Sequence, residues 1–206
     1  MGITGFSLDL VKAVLNDFKV ETVIELGAQN MYDQDYSGNY PYADTYYRSR
    51  GIAYECIDLS GENGAQAIDL SKPCAVSKKY DMVTDFGTSE HVHDIKECWK
   101  TKHKLLKVGG VMISENPKVG NWPDHGYWYY TEEFYQKFAA AAGYKILKIG
   151  EHPAMWNTTD GYNVYCIMQK VEDKPFPDEF TGIEPSPVKP KADVKTEPKK
   201  RGRKKK

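Results

Sequence analysis

The sequence has no apolar run approaching the roughly 20 residues that a bilayer-crossing helix needs, so no membrane span is expected. Its start carries no secretory apolar segment, and its four cysteines, Cys56, Cys74, Cys98 and Cys166, are scattered without a Cys-x-x-Cys pair. No disulfide framework is expected, and reduced thiols in a cytoplasmic protein are expected instead. Gly-x-Gly-x-x-Gly is also missing, which leaves a dinucleotide's pyrophosphate no close seat at a helix start and disfavours NAD-dependent oxidoreduction. Positive charge is scarce through most of the chain. Ten of the 28 Lys and Arg but only two of the 29 Asp and Glu fall in residues 189–206, leaving 18 against 27 before them. A body near −9 is poorly suited to holding a polyanion unaided.

What is present alternates between strand and helix signals. Ser7 can cap a helix whose apolar residues Leu8, Val11, Val14, Leu15 and Phe18 recur at helical spacing. VIELGAQN, at 23–30, reads as a buried strand opening into a glycine turn, and AYECIDL, at 53–59, as a second strand ending on Asp58, about 30 residues after the first. A third short strand is expected over 66–70 (QAIDL), a fourth over 80–86, a helix over 93–107, a fifth strand over 111–114 entered through Gly109-Gly110, and strands over 144–150 and 163–170. Thr131 should cap a helix ending at Gly143. This rhythm predicts an α/β domain over 1–170, a mostly parallel sheet covered on both faces. Beyond Val171, prolines 175, 177, 185, 187, 190 and 198 among Lys and Glu predict a disordered tail over 171–206.

Taken in order, these segments resemble class I S-adenosylmethionine-dependent methyltransferases over residues 20–170. VIELGAQN is similar to the family's first motif, Asp58 to the acid closing its second strand, and Ile68-Asp69-Leu70 to its third motif. Ser89–Asp94 (SEHVHD) and Leu105–Gly110 (LLKVGG) match the two segments that flank the helix before the fifth strand. Gln29 and Met31 depart from it where further glycines are usual, and Val108 where proline is usual. The resemblance implies a doubly wound, seven-stranded Rossmann-like sheet and S-adenosyl-L-methionine as cofactor. By that analogy Gly27 admits backbone to the methionyl part, Glu25 accepts from its ammonium and Gln29 donates to its carboxylate. Asp58, with Leu59 beside it, accepts from the ribose hydroxyls. Asp69 takes the adenine amine, Leu70 covers a ring face, and Phe86 and Gly87 flank the sulfonium and the acceptor. Asp85-Phe86-Gly87-Thr88 stands where DNA amino-methyltransferases carry Asn/Asp-Pro-Pro-Tyr, which disfavours that chemistry.

An acceptor that must lose a proton needs a base, and His91 and His125 are the candidates because imidazole titrates near neutrality. His125 lies in NWPDHGYWYY, at 121–130, after the fifth strand. His91, His93 and His125 with Glu90 and Asp94 read as ordinary polar groups, and no metal is expected. The tyrosines from Tyr32 to Tyr47 and at 127–130 either form an aromatic lid over the acceptor or seal loops onto the domain. KKRGRKKK, at 199–206, suits sequence-blind phosphate contact or simple solubility. Asn157-Thr158-Thr159 fits a glycosylation sequon by accident. A small-molecule acceptor bearing hydroxyl, carboxyl or sugar groups is expected first. Nucleic-acid methylation, or a non-catalytic module acting through its tail, stands as the alternative, and the oligomeric state is open.

Overall fold

The apolar runs become strands of one sheet. In the computed structural model, which describes residues 2–32, 41–153 and 161–186, β1 is Thr22–Leu26, β2 Ala53–Asp58, β3 Gln66–Ala67, β4 Tyr80–Phe86, β5 Leu106–Pro117, β6 Tyr144–Pro153 and β7 Tyr162–Lys170. Their order is β3-β2-β1-β4-β5-β7-β6. Pairing is parallel from β3 through β5, and β7 runs antiparallel to both its neighbours. Helices α1 (Gly5–Asp17) and α2 (Ala43–Arg48) precede β1 and β2, α3 (Ile95–Leu105) precedes β5, and α4 (Glu132–Ala142) precedes β6. The expected doubly wound sheet is thus present.

Strand alternation sends its side chains into two separate cores. Val23, Tyr54, Met82 and Ile113 meet Leu8, Val11 and Val14 of α1 and Tyr46 and Tyr47 of α2. Ile24, Leu26, Val83 and Met112 meet Trp99 of α3 and Phe134, Phe138 and Ala142 of α4 on the other face. Tyr46 and Tyr47 are therefore core residues rather than part of a lid.

Several boundaries differ from expectation for local reasons. Thr4, not Ser7, caps α1; Ser7 occupies the third helical position and completes a capping box with Thr4. The third strand is only two residues long, because Asp69 turns the chain by accepting from the Ser71 amide at 2.9 Å. The fifth strand runs through the Gly109-Gly110 pair instead of starting after it, and Gly110 stands where a side chain would lie 2.8 Å from the Asp81 carbonyl. Residues 171–186 are the largest correction. Rather than leaving the domain, they pack Phe176, Phe180 and Ile183 against the α3–α4 core and pair Glu184–Pro185 with Trp128–Tyr129. The sequon at Asn157 and the basic run at 199–206 lie outside the described residues.

Two buried carboxyl groups carry testable weight. The Asp85 carboxylate, fully buried at the end of β4, accepts from Lys102 Nζ at 2.8 Å, and Lys102 itself is wholly buried over the Trp99 ring. Burial raises the Asp85 carboxyl, but the Lys102 ammonium and the Ser89 bonds outweigh it and hold the group below its ordinary range. Removing one member of such a pair strands the other, so Lys102→Met is expected to cost about 3–5 kcal/mol in urea unfolding, and a cost under about 1 kcal/mol would contradict this role. Glu25, on β1, is enclosed between Tyr54 Oη at 2.7 Å and Thr84 Oγ1 at 3.1 Å. Burial pushes its carboxyl from 4.5 up to about 8, with the two hydroxyls offsetting part of the rise. Folding therefore retains a proton that the unfolded chain releases. The resulting stability is fully present below about pH 4.5 and is lost as pH rises through about 8. Unfolding free energies should fall more steeply across that window in the wild type than in Glu25→Gln; parallel profiles would contradict a protonated Glu25.

Candidate active site

The carboxyl ends of β1, β2, β4 and β5 open on one side of the sheet, where an open α/β sheet presents its ligand crevice. Two cavities lie there. One, about 210 Å3, is lined by Asp58, Leu59, Ile68, Asp69, Leu70, Thr88 and His91. The other, about 390 Å3, lies beyond Gly87 and is walled by Phe86, Glu90, His91, Glu115, Asn116, Trp122, His125, His152 and Asn163, with Ser7 and Tyr32 at its edge. His91 belongs to both, so the segment from Gly87 to His91 is the partition between them.

Local chemistry explains the first cavity. Gly27 adopts φ +80°, a left-handed conformation that favours glycine, and its amide donates to the Ile57 carbonyl at 2.7 Å. The next amide, Ala28, donates to Asp58 Oδ2 at 3.0 Å, while Asp58 Oδ1 accepts from the Ser60 amide and hydroxyl. Burial raises the Asp58 carboxyl, but the Ser60 and Ala28 bonds prevail and keep it low. Three of about four lone-pair sites are thereby taken, and one is left for a ligand. Asp69 lines the same cavity with its carboxylate engaged by Ser71 and Lys72, which hold it low. Leu59, three-quarters exposed, forms an outer wall, and Leu70 an inner one.

Two expected residues sit differently from the roles read for them. Glu25 lines neither cavity; it lies beneath the turn with both oxygens bonded. Gln29 is also buried, and its amide nitrogen is committed to the Leu26 carbonyl at 3.1 Å and to Thr88 Oγ1 at 3.0 Å. Because the Leu26 carbonyl is an acceptor only, the amide nitrogen must face it, and Oε1 is left buried without a partner among the described residues. Like Glu25, Gln29 lines neither cavity.

The second cavity holds groups that single-segment reading did not assemble. Glu115 Oε2 accepts from Ser7 Oγ at 2.7 Å, and its Oε1 accepts from Asn163 Nδ2 at 2.9 Å and lies 2.8 Å from His152 Nε2. Across from it, Glu90 Oε1 stands 3.8 Å from His91 Nε2 and 3.6 Å from His125 Nε2, and its Oε2 accepts from Asn116 Nδ2 at 3.1 Å. The two candidate bases are therefore neighbours, with ring centroids 4.9 Å apart. The polar run Ser114-Glu115-Asn116 at the end of an otherwise apolar strand was the available sequence signal for this side of the site.

No protein-family model matches the sequence, and no curated protein matches it either. Solved structures do. The 1,6-didemethyltoxoflavin N1-methyltransferase of Burkholderia thailandensis, with bound 1,6-didemethyltoxoflavin and S-adenosylhomocysteine, is similar at a TM-score of 0.58 and 16% identity over 80% of this chain and 76% of that one. The N-methyltransferase NodS of Bradyrhizobium japonicum, in complex with S-adenosylhomocysteine, is similar at 0.54 and 11% over 82% and 89%. With its strand order and its antiparallel β7, the chain has the class I S-adenosylmethionine-dependent methyltransferase fold.

Proposed function

We propose that the chain is an S-adenosylmethionine-dependent methyltransferase acting on a small-molecule acceptor. The observation that carries this reading is the pair of cavities meeting at Gly87–His91, one lined like a nucleoside site and the other polar and large enough for a separate reactant. The residues present fit the cofactor. Asp58 keeps an acceptor site for a ribose hydroxyl, Ile68 and Leu70 offer apolar faces to an adenine, and the positive-φ turn at Gly27 lets backbone approach the methionyl part.

S-adenosylmethionine, when bound, supplies a methyl group activated on a sulfonium. What remains for the protein is orientation and exclusion of water. Phe86 and Gly87 border the acceptor cavity at the partition, and His91 and His125, which line the same cavity, are the candidates to receive a proton from an acceptor there. The lining carboxylates Glu90 and Glu115 favour an acceptor carrying hydroxyl or amino donors over a polyanion. This supports a small molecule ahead of nucleic acid.

Titration calorimetry tests the reading. S-adenosylhomocysteine should bind, and Asp58→Ala should weaken it between about 10- and 100-fold through loss of charged hydrogen bonds. Equal affinity in the variant would remove Asp58 from the site. No binding by the wild type would overturn the enzyme reading in favour of a non-catalytic module.

A further inference from the structure

We infer that Glu90, His91 and His125 form a binding site for a divalent transition metal of the Zn2+ type, at the mouth of the acceptor cavity. The inference rests on the proposed function only for what the metal would hold; the site itself stands on its own geometry.

Three kinds of observation converge. First, the donor set is suitable: one carboxylate oxygen and two imidazole nitrogens lie within 4.8 Å of one another. Two histidines with one carboxylate is a set found in open catalytic zinc sites, which keep a further position for water or substrate. Direct ligation at about 2.0–2.2 Å places tetrahedral donors about 3.3 Å apart. The observed 3.6 and 3.8 Å separations from the carboxylate need a small inward swing, and the donor set as a whole, within 4.8 Å, must contract by a larger one; both imidazoles are about a third exposed.

Second, the carboxylate is positioned and otherwise unbalanced. Glu90 is 1% exposed, and among the described residues no lysine or arginine pairs with it. Asn116 fixes Oε2 and is itself held by Tyr135 Oη at 2.8 Å, so Oε1 is the oxygen turned toward the imidazoles. An outer hydrogen bond of this kind is what orients a metal-bound carboxylate. A buried carboxylate whose Oε1 faces two imidazoles is a place where a cation lowers the cost of burial.

Third, the backbone is shaped to bring His125 there. The Tyr127 amide donates to the Glu90 carbonyl at 2.8 Å, and a side chain on Gly126 would stand 2.9 Å from that carbonyl. Only a glycine lets the loop lie this close to Glu90. Trp122 and Asp124 take positive φ values of 57° and 59° in the same loop, a cost met by the bond from Tyr129 Oη to the Trp122 carbonyl at 2.6 Å and by a turn from the His125 amide to Trp122. His93 and Asp94 take no part: Asp94 caps α3 through the Glu97 amide, and His93 packs on Tyr127.

A metal held by these three groups presents its open position to the acceptor cavity. It would there take an acceptor through an oxygen, hydroxyl or carboxylate, and the histidines would serve as ligands rather than as bases.

The test is calorimetry of the full chain with ZnCl2, and with CoCl2 for its visible absorption, with MgCl2 as the hard-ion control. One equivalent of Zn2+ should bind, Co2+ should show bands of a low-coordinate nitrogen-containing site, and Mg2+ should not compete. His125→Ala and His91→Ala should each weaken Zn2+ more than about tenfold, while His93→Ala should not. His125→Gln, on an exposed loop, serves as a second variant, with thermal unfolding to show that each protein is folded. Absent binding, or binding unchanged by all three His91 and His125 substitutions, would overturn the inference. S-adenosylhomocysteine affinity, measured without metal, reports separately on the proposed function.

Discussion

Everything on the ligand side of the sheet depends on how Asp85 is satisfied. Its Oδ1 accepts from the amides of Thr88 and Ser89, and its Oδ2 from Ser89 Oγ at 2.6 Å and Lys102 Nζ at 2.8 Å. Lys102 in turn donates to Ser114 Oγ at 2.7 Å. One carboxylate thereby ties the end of β4, the turn carrying Glu90 and His91, helix α3 and strand β5 into one unit. A buried charge is tolerable only with this degree of pairing and hydrogen bonding, and in return it fixes backbone that would otherwise be a free loop. The partition between the two cavities is the outcome. Thr88 extends the same network to the first motif, since its hydroxyl donates to the Leu26 carbonyl and receives the Gln29 amide.

The two cavities consequently differ in how their acids are used. Asp58 and Asp69 accept mainly from nearby backbone and serine groups, so the nucleoside side is largely a product of turns. Glu90 and Glu115 are reached from distant segments: Asn116, His125, Ser7, His152 and Asn163 come from β5, one loop, α1 and the two last strands. Such convergence gives the acceptor side its polarity and its individual character, whereas the nucleoside side follows from the fold.

The sequence made the strands legible because their apolar runs are continuous and their ends carry acids, glycine or threonine. Thr131 and Gly143 bounded α4 correctly, and Asp58, Asp69, Leu70, Phe86, Gly87, His91 and His125 all reach one of the two cavities. The misplacement of Glu25 has a simple origin. It shares a strand face with Val23, and period-two alternation sends both toward α1 and α2, beneath the turn. The Glu115 cluster was hidden because it requires the antiparallel register of β7 and the start of α1, neither of which any local pattern encodes. Residues 171–186 were misread for a different reason: their prolines mark a chain without regular structure, yet Phe176, Phe180 and Ile183 still have apolar area to bury.

The central claim is that the crevice beside Asp58 and Gly87 receives the cofactor. The most direct measurement is an amide-resolved NMR titration of the labelled protein with S-adenosylhomocysteine. The account predicts perturbations concentrated at Gly27–Asn30, Asp58–Ser60, Asp69–Leu70 and Gly87–His91, with α4 and residues 171–186 unmoved. Perturbations confined to other faces, or none at saturating ligand, would contradict it.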